Sequence, residues 1–284
     1  MVVIEKEKCT GCGTCVNVCH EHCMSLVDGK VSINHAVCST CTQCIAICAQ
    51  KALSWDGNLP VGFDSGLLPS AAQIDELFME RRTVRDFTDE SIDRGTLAEI
   101  VSRGAYAPTH NFRLRCIIVD DPVLIQAFDT AAFEFSKLIY TLVFRPGIIR
   151  ALAALAPSPV RDELRKGRPK LEAAVARGKG YKSRPAALVC VVADRRIPLS
   201  LESAQYALSN MSLYAQVKGV GCRNLVGNQV IFNRSREIRR GLRLGRHERL
   251  VAVAGFGVPA VRFRNKVTGK KMQIQWNGEA TAAL

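Results

Sequence analysis

The pattern of apolar and polar residues predicts short strands at the start of the chain and longer strands and helices further on. Short apolar stretches bounded by turn residues predict strands at residues 2–5, 24–27, 31–33 and 53–55. Apolar runs predict buried strands at 116–119, 187–194 and 250–254. Apolar positions at helical spacing predict helices that begin after Ser70 and that span 91–104 and 202–218.

A turn-rich stretch separates the two parts. Residues 57–72 contain Gly62, Gly66 and Pro69, and we predict a linker there. Composition changes at the same place: the first 60 residues carry four Lys or Arg and five Asp or Glu, while the whole chain has a net charge of +13. These shifts predict one domain at residues 1–56 and a second at 73–284.

Membrane and secretory classes are not expected. The most apolar stretch, residues 133–160, is interrupted by Lys137, Arg145 and Arg150, and no uncharged run approaches the ~18 residues of a membrane span. The N-terminus carries acidic residues and cysteines where a signal peptide needs a basic start and an apolar stretch. We therefore expect a cytoplasmic protein, in which the twelve cysteines favour metal binding over disulfides.

Eight of these cysteines form two copies of one motif. Three thiolates at intervals of three residues can bind three irons of one cubane, and in two-cluster proteins the fourth thiolate, after three further residues, crosses to the other cluster. One 4Fe-4S cluster is accordingly assigned to Cys9, Cys12, Cys15 and Cys48, and the other to Cys38, Cys41, Cys44 and Cys19. Residues 3–55 resemble the bacterial two-cluster ferredoxin module.

Two features of this region differ from the ferredoxin pattern. His20 and Ala49 stand where proline usually follows the fourth cysteine, and we expect cluster binding to survive this change. Cys23 is a surplus thiol, which is either a bystander near a cluster or part of a third metal site. Zinc is the alternative metal, although zinc sites use pairs of ligands with a long spacer rather than two quartets.

An arginine-rich motif opens the second part. Arg81, Arg82 and Arg85, with the hydroxyl of Thr83, form a dense set of donors that suits a phosphate, although basic stretches of this kind also occur as solvated surface. Further segments follow at 107–111, 219–222 and 255–259. Together these motifs resemble the nitroreductase family of flavoproteins over residues 73–277.

The resemblance implies an α+β fold, with a central, mostly antiparallel sheet flanked by helices, and a homodimer with FMN at its interface. It implies that the FMN phosphate and ribityl chain are contacted by Arg81, Arg82, Thr83 and Arg85. It implies that the isoalloxazine is flanked by Pro108, Thr109, His110 and Asn111, and approached from the other chain by Leu225, Val226 and Gly227. Lys270 or Lys271 closes the phosphate site, with Arg264 as a competing candidate.

Residues 128–183 have little likeness to the family and are interpreted as a helical insertion. This insertion either covers the flavin or forms a structural helical pair at the dimer interface. No catalytic residue is singled out by the sequence.

The expected function is an oxidoreductase that couples single-electron and two-electron chemistry. A donor, ferredoxin or flavodoxin, passes electrons through the two 4Fe-4S clusters to FMN, which reduces a small organic acceptor: a nitro compound, a quinone or an activated alkene. One alternative is oxidation of NAD(P)H with electrons leaving through the clusters, and another is a non-catalytic redox carrier or sensor. The basic residues are not interleaved with aromatic residues, as they would be on a nucleic-acid-binding surface. A basic surface of this kind attracts acidic electron carriers or anionic ligands.

Overall fold

The structure is a computed structural model that describes residues 1–109, 112–144, 157–272, 274–277 and 279–280. The cysteine-rich part consists of two short helices and two antiparallel strand pairs. Strand β1 (Val2–Ile4) pairs with β4 (Leu53–Trp55), and β2 (Met24–Val27) pairs with β3 (Lys30–Ile33). The helices are α1 (Thr14–Val18) and α2 (Gln43–Ile47). All four predicted strands are thus confirmed within one residue at their ends.

The cysteine-rich part is an internal repeat whose two halves are offset by 29 positions, as Cys9 and Cys38 show. Val2 and Val31 correspond in this repeat, and both are buried in the same small apolar core. The loop before α1 has left-handed glycines at Gly11 and Gly13, whereas the matching positions before α2 are Thr40 and Thr42, also left-handed. The second loop therefore adopts a backbone conformation that favours glycine without having glycine there.

The larger part is built on a four-stranded antiparallel sheet in the order β5-β6-β8-β7. Its strands are β5 (Arg115–Val119), β6 (Ala187–Asp194), β7 (Gly221–Asn224) and β8 (Glu248–Gly257). The first seven residues of β6 are fully or nearly fully buried, because apolar cores lie on both faces of the sheet. A short hairpin of β9 (Gln275–Trp276) and β10 (Glu279–Ala280) follows near the end of the chain.

One face of the sheet is covered by α4 (Arg94–Ser102) and α7 (Ser200–Val217), with α3 (Ala71–Glu80) packed against α7. Ser70 starts α3 as predicted, because its side chain and that of Gln73 form a reciprocal capping box. The helix predicted at 91–104 is shorter, since Asp93 caps it by accepting from the Thr96 amide, and its last turn becomes a 3₁₀ helix at Arg103–Tyr106.

The opposite face is covered by α5 (Pro122–Phe144), α8 (Gln229–Arg234) and α9 (Arg236–Gly241), while α6 (Ser158–Arg177) packs on α5. Helix α5 begins six residues before the boundary expected for the insertion. Ile125 and Phe128 lie in the core beneath it, so this helix is part of the sheet packing from its first turn. Among the described residues, no helix combines the length and apolar character needed to cross a membrane.

Candidate functional site

The structure gathers one predicted quartet of cysteines around a single cavity. The residues that line this cavity include Cys9, Cys12, Cys15 and Cys48. Gly11 allows the loop to close, because a Cβ atom there would lie 2.2 Å from the carbonyl oxygen of Gly29. Cys48 comes from the second motif, so the cavity combines three cysteines of one motif with the fourth of the other.

The second quartet surrounds a separate cavity, lined by Cys19, Cys38, Cys41 and Cys44 and also by Cys23. Each cavity thus receives its fourth cysteine from the opposite motif. Within the described residues, no group of three His, Cys, Asp or Glu side chains lies close enough to hold a single metal ion. The sulfurs are instead distributed around two cavities, an arrangement that fits a bound cluster.

Two thiols of the first cavity, those of Cys9 and Cys12, are in surroundings that favour the thiolate, whereas burial raises the pKa of Cys15. Backbone N–H groups of Val31 and Gly11 donate to the sulfur of Cys9 and lower its pKa. The side-chain and backbone donors of Thr14 lower the pKa of Cys12, whose sulfur lies 3.4 Å from the Thr14 hydroxyl. In the second cavity, burial raises the pKa of Cys44 to about 11.

Cys23 is buried, and its sulfur lies 3.3 Å from that of Cys19. Burial raises the pKa of Cys23 to about 12, which keeps the thiol protonated near neutral pH. In the repeat, Cys23 corresponds to Ala52, which lines the first cavity. The second cavity therefore contains one thiol more than its counterpart.

The arginine motif lies along the edge strand β7. Thr83 forms a parallel bridge with Cys222, and the Val84 amide donates to the Cys222 carbonyl over 3.1 Å. Gly221 is required here, because a Cβ atom on it would lie 2.8 Å from Val84. A Cβ atom on its register partner, Gly257 of β8, would likewise collide with the ring of Phe87. Two paired glycines thus fix the backbone of residues 84–87.

The three arginines of this motif differ in how much of their donor capacity is used. Arg82 donates to the carbonyl oxygens of Met79 and Arg81, at 2.5 and 2.9 Å, so it folds back onto the end of α3. The exposed guanidinium groups of Arg81 and Arg85 have no hydrogen-bond or ion-pair partner within the part of the chain that the structure describes. These two side chains are free to bind an anion.

The remaining predicted contacts lie in three segments. Pro108 is exposed and Thr109 half-buried after the 3₁₀ turn, while His110 and Asn111 are outside the described residues. Leu225 packs its side chain in the core, and its amide donates to the Val253 carbonyl over 2.8 Å. Any contact with a ligand from this position has to come from the backbone of the turn, where Val226 and Gly227 are exposed.

The basic candidates near the end of the chain lie in an extended segment. All three are exposed: Arg264, Lys270 and Lys271. An ion pair between Lys266 and Glu76 holds this segment against α3, the helix that ends at the arginine motif.

Arg223 is a basic residue near the motif that the sequence interpretation missed. It lies on β7 with its guanidinium 5.0 Å from the centroid of the Tyr181 ring. Burial lowers its pKa, and the nearby positive charge of Arg85 acts in the same direction. A single arginine in a four-residue strand carries no sequence signal, because its proximity to Arg85 depends on the pairing of distant segments.

Comparisons with known proteins agree with this architecture. The structure is similar to a nitroreductase with bound FMN from Desulfitobacterium hafniense, with 14% identity, 70% of this chain and 97% of that chain covered, and a TM-score of 0.51. It is also similar to an iodotyrosine deiodinase bound to FMN and 3-iodo-L-tyrosine, with 19% identity, 72% and 98% coverage and a TM-score of 0.51. No curated protein matches the sequence.

Two family models match the sequence and confirm both resemblances. A model described as a 4Fe-4S binding domain matches residues 1–21, and one described as the nitroreductase family matches residues 78–258. The predicted α+β fold, with an antiparallel sheet flanked by helices, is likewise confirmed. The chain carries a ferredoxin-type 4Fe-4S domain at its start and belongs, through most of its length, to the nitroreductase family of oxidoreductases.

Proposed function

We propose that this chain passes electrons from a protein donor through two 4Fe-4S clusters to FMN, and from there to a small organic acceptor. The observation that carries the proposal is the presence, in one chain, of two cavities each lined by a complete cysteine quartet and of a nitroreductase domain with free arginines. The domains are proposed to span residues 1–56 and 73–284, with a linker at 57–72.

Each cluster is proposed to be held by the quartet that lines its cavity. Cys9, Cys12, Cys15 and Cys48 hold one, and Cys19, Cys38, Cys41 and Cys44 hold the other. Support comes from the crossing of the fourth cysteine, which is the arrangement of two-cluster ferredoxins. The N–H groups that donate to Cys9 stabilise the thiolate form that an iron ligand needs.

The arginine motif is proposed to hold the FMN phosphate. Arg81 and Arg85 have unused donors, the two glycines fix the backbone at Arg85, and guanidinium groups bind phosphate oxygens in pairs. Thr83 adds a hydroxyl donor, and Arg82 supplies positive charge while its donors bind the backbone. Arg223 adds further positive charge close to Arg85. Bound FMN supplies the conversion between single electrons and hydride transfer.

The remaining flavin contacts are proposed from the family resemblance. Pro108, Thr109, His110 and Asn111 would lie along the ring, and the turn at 225–227 would approach it from the second chain of a homodimer. The dimer is supported by a solvent-exposed groove between α3 and α7, lined largely by apolar residues that include Leu77, Tyr106 and Val217. Exposed apolar surface of this kind marks interaction sites on folded proteins.

The donor is proposed to be a reduced ferredoxin or flavodoxin. The chain after residue 60 carries a net charge of +14, and a basic surface attracts acidic carriers. The acceptor is proposed to be a nitro compound, a quinone or an activated alkene, the kinds of small molecule that a reduced flavin reduces.

The first test is the cofactor content of protein purified without oxygen. We expect about eight irons and one FMN per chain, with matching sulfide. Full iron without flavin would contradict the enzymatic proposal and favour a carrier or sensor.

Arg81→Gln and Arg85→Gln should each weaken FMN binding by about tenfold or more, since hydrogen bonds to charged groups contribute about 1.5–3 kcal/mol. The exposed Arg234→Gln is the matched control.

The electron route is tested with one cysteine variant from each quartet. Cys12→Ala and Cys41→Ala should abolish turnover driven by a reduced ferredoxin while FMN content stays unchanged. Full turnover in either variant would contradict the route. Rapid mixing with NADH tests the opposite direction, because bleaching of the flavin before any change in cluster absorbance would show that NADH is the donor.

A further inference from the structure

Lys30 places an ammonium group beside the first cysteine of the chain. Its Nζ donates to the backbone carbonyl oxygen of Cys9 over 2.5 Å, and the side chain is half-buried. Lys30 is the first residue of β3 and directly follows Gly29, the residue against which Gly11 packs. The positive charge is therefore held against the loop that carries Cys9 and Cys12.

The internal repeat supplies a matched site without this lysine. An offset of 29 positions relates Cys38 to Cys9 and Val31 to Val2, and it relates Lys30 to Met1. The side chain of Met1 is uncharged, and the positive charge of its N-terminal ammonium is ion-paired with Asp56. The second cavity therefore lacks a lysine at the position from which Lys30 reaches the first.

Each cavity also has a side-chain hydrogen bond to one of its sulfurs. The sulfur of Cys12 lies 3.4 Å from the hydroxyl of Thr14, whereas the corresponding residue of the second motif is Gln43. The Thr42 hydroxyl, next to it, donates to the carbonyl oxygen of Cys41 instead. The first cavity thus has a hydroxyl donor on the sulfur of Cys12, and the second has the thiol of Cys23 3.3 Å from the sulfur of Cys19. The lysine ammonium is the feature that distinguishes the first cavity.

Charge and hydrogen bonding determine which of two clusters is reduced more easily. Reduction adds one negative charge to a cluster, so a fixed cation nearby stabilises the reduced form more than the oxidised form. Donors to the sulfurs act in the same direction, and both effects are known determinants of cluster potentials. The two sites of this chain differ in the lysine charge, whereas each has a side-chain hydrogen bond to a sulfur.

We propose that Lys30 raises the reduction potential of the cluster held by Cys9, Cys12, Cys15 and Cys48 above that of the cluster in the other cavity. The first electron from the donor protein then resides in the first cavity. This inference rests on the proposed function, since it requires both clusters. Lys30 acts as a positioning residue, through its charge and its bond to the Cys9 carbonyl.

The test is a redox titration of the whole protein, in which electron paramagnetic resonance detects the reduced clusters. Lys30→Gln removes the charge and Lys30→Arg keeps it, while Lys6→Gln removes one charge from an exposed position of the same domain. Lys30→Gln should lower the higher midpoint by about 59 mV, a tenfold change in the ratio of reduced to oxidised cluster. The lower midpoint should not change in Lys30→Gln. Both midpoints of Lys30→Arg and of Lys6→Gln should match those of the unmodified protein.

The outcomes separate this inference from the proposed function. Fewer than about eight irons per unmodified chain would contradict the proposed function itself. Eight irons with an unmoved higher midpoint in Lys30→Gln, or an equal shift in Lys6→Gln, would overturn the role of Lys30.

A second variant covers the case in which Lys30→Gln loses iron. Cys12→Ser should alter the resonance signal of the cluster that is reduced first in the unmodified protein. An altered signal from the cluster reduced second would overturn the proposed order.

Discussion

Val84 and Phe87 pack on two glycines that face each other across β7 and β8. Because a Cβ atom at Gly221 would lie 2.8 Å from Val84, Gly221→Ala should displace the arginine motif. Overpacking of this kind costs about 1–3 kcal/mol, and the displacement should weaken FMN binding by about tenfold. Titration of flavin-free protein with FMN, read from flavin fluorescence, measures the effect. Gly245→Ala is the control, since its nearest neighbour would be 3.5 Å away. Unchanged FMN affinity in Gly221→Ala would show that the motif does not depend on this contact.

Cys23 is predicted not to be a cluster ligand, because the repeat has no cysteine at the corresponding position. The matching position in the first cavity is Ala52, so Cys23→Ala reproduces a side chain that the other site already has. We expect the variant to keep about eight irons per chain, because both quartets stay complete. Iron and sulfide analysis measures this, with Cys41→Ala as the variant that should lose iron. Loss of metal from Cys23→Ala would identify Cys23 as a ligand.

At the scale of residues, the sequence was informative where chemistry is encoded by local spacing. Both cysteine quartets were assigned from intervals of three and four residues, and the structure brings each quartet around one cavity. Arg223 was missed because its position beside Arg85 depends on strand pairing between distant segments. The burial of the Leu225 side chain was likewise hidden, since an apolar residue in a turn has the same local pattern whether it faces a ligand or the core.

At the scale of elements, helix α6 contains a proline in its interior. Pro169 is exposed and has no N–H to donate to the carbonyl four residues earlier. Pro169→Ala should therefore stabilise the protein by up to about 3 kcal/mol, the difference between these residues in a helix interior. Thermal unfolding followed by circular dichroism measures the gain. Pro159→Ala is the control, because proline is tolerated in the first turn of a helix. An equal gain from both variants would show that helix geometry is not the cause.

Element types were predictable because their apolar periods are long and distinct. Strand β6 was predicted at its observed bounds, because a continuous apolar run identifies a buried strand without knowledge of the strands beside it. The end of α4 was not, because its last turn tightens into a 3₁₀ helix that has the same apolar spacing. The insertion was placed at residues 128–183, whereas helix α5 already begins at Pro122, because the likeness to the family fades inside the helix while its buried face continues from the first turn.

At the scale of the whole molecule, the two parts of the chain are stabilised by different means. The cysteine-rich part has a small apolar core that includes six of the proposed cluster ligands, so its folding should depend on the clusters. The larger part buries both faces of its sheet beneath helices and has a core of its own. Its groove between α3 and α7 nevertheless leaves apolar residues exposed, which a second copy would cover.

The proposed homodimer is tested by the mass of the protein in solution. Val217 is 67% exposed at the end of α7, beside the groove, whereas Val123 is 73% exposed on α5, across the sheet. Light scattering on a sizing column should give twice the chain mass of 31.1 kDa for the unmodified protein. Val217→Asp should shift it to the monomer mass, because an unpaired carboxylate in an interface is strongly unfavourable.

Val123→Asp introduces the same charge on the other face and should leave the dimer intact. A dimer that persists in Val217→Asp would place the interface elsewhere, and a monomeric unmodified protein would contradict the dimer itself. Flavin content distinguishes the consequences further. If the turn at 225–227 approaches FMN from the second chain, monomeric Val217→Asp should also bind FMN more weakly, although it leaves Arg81 and Arg85 unchanged.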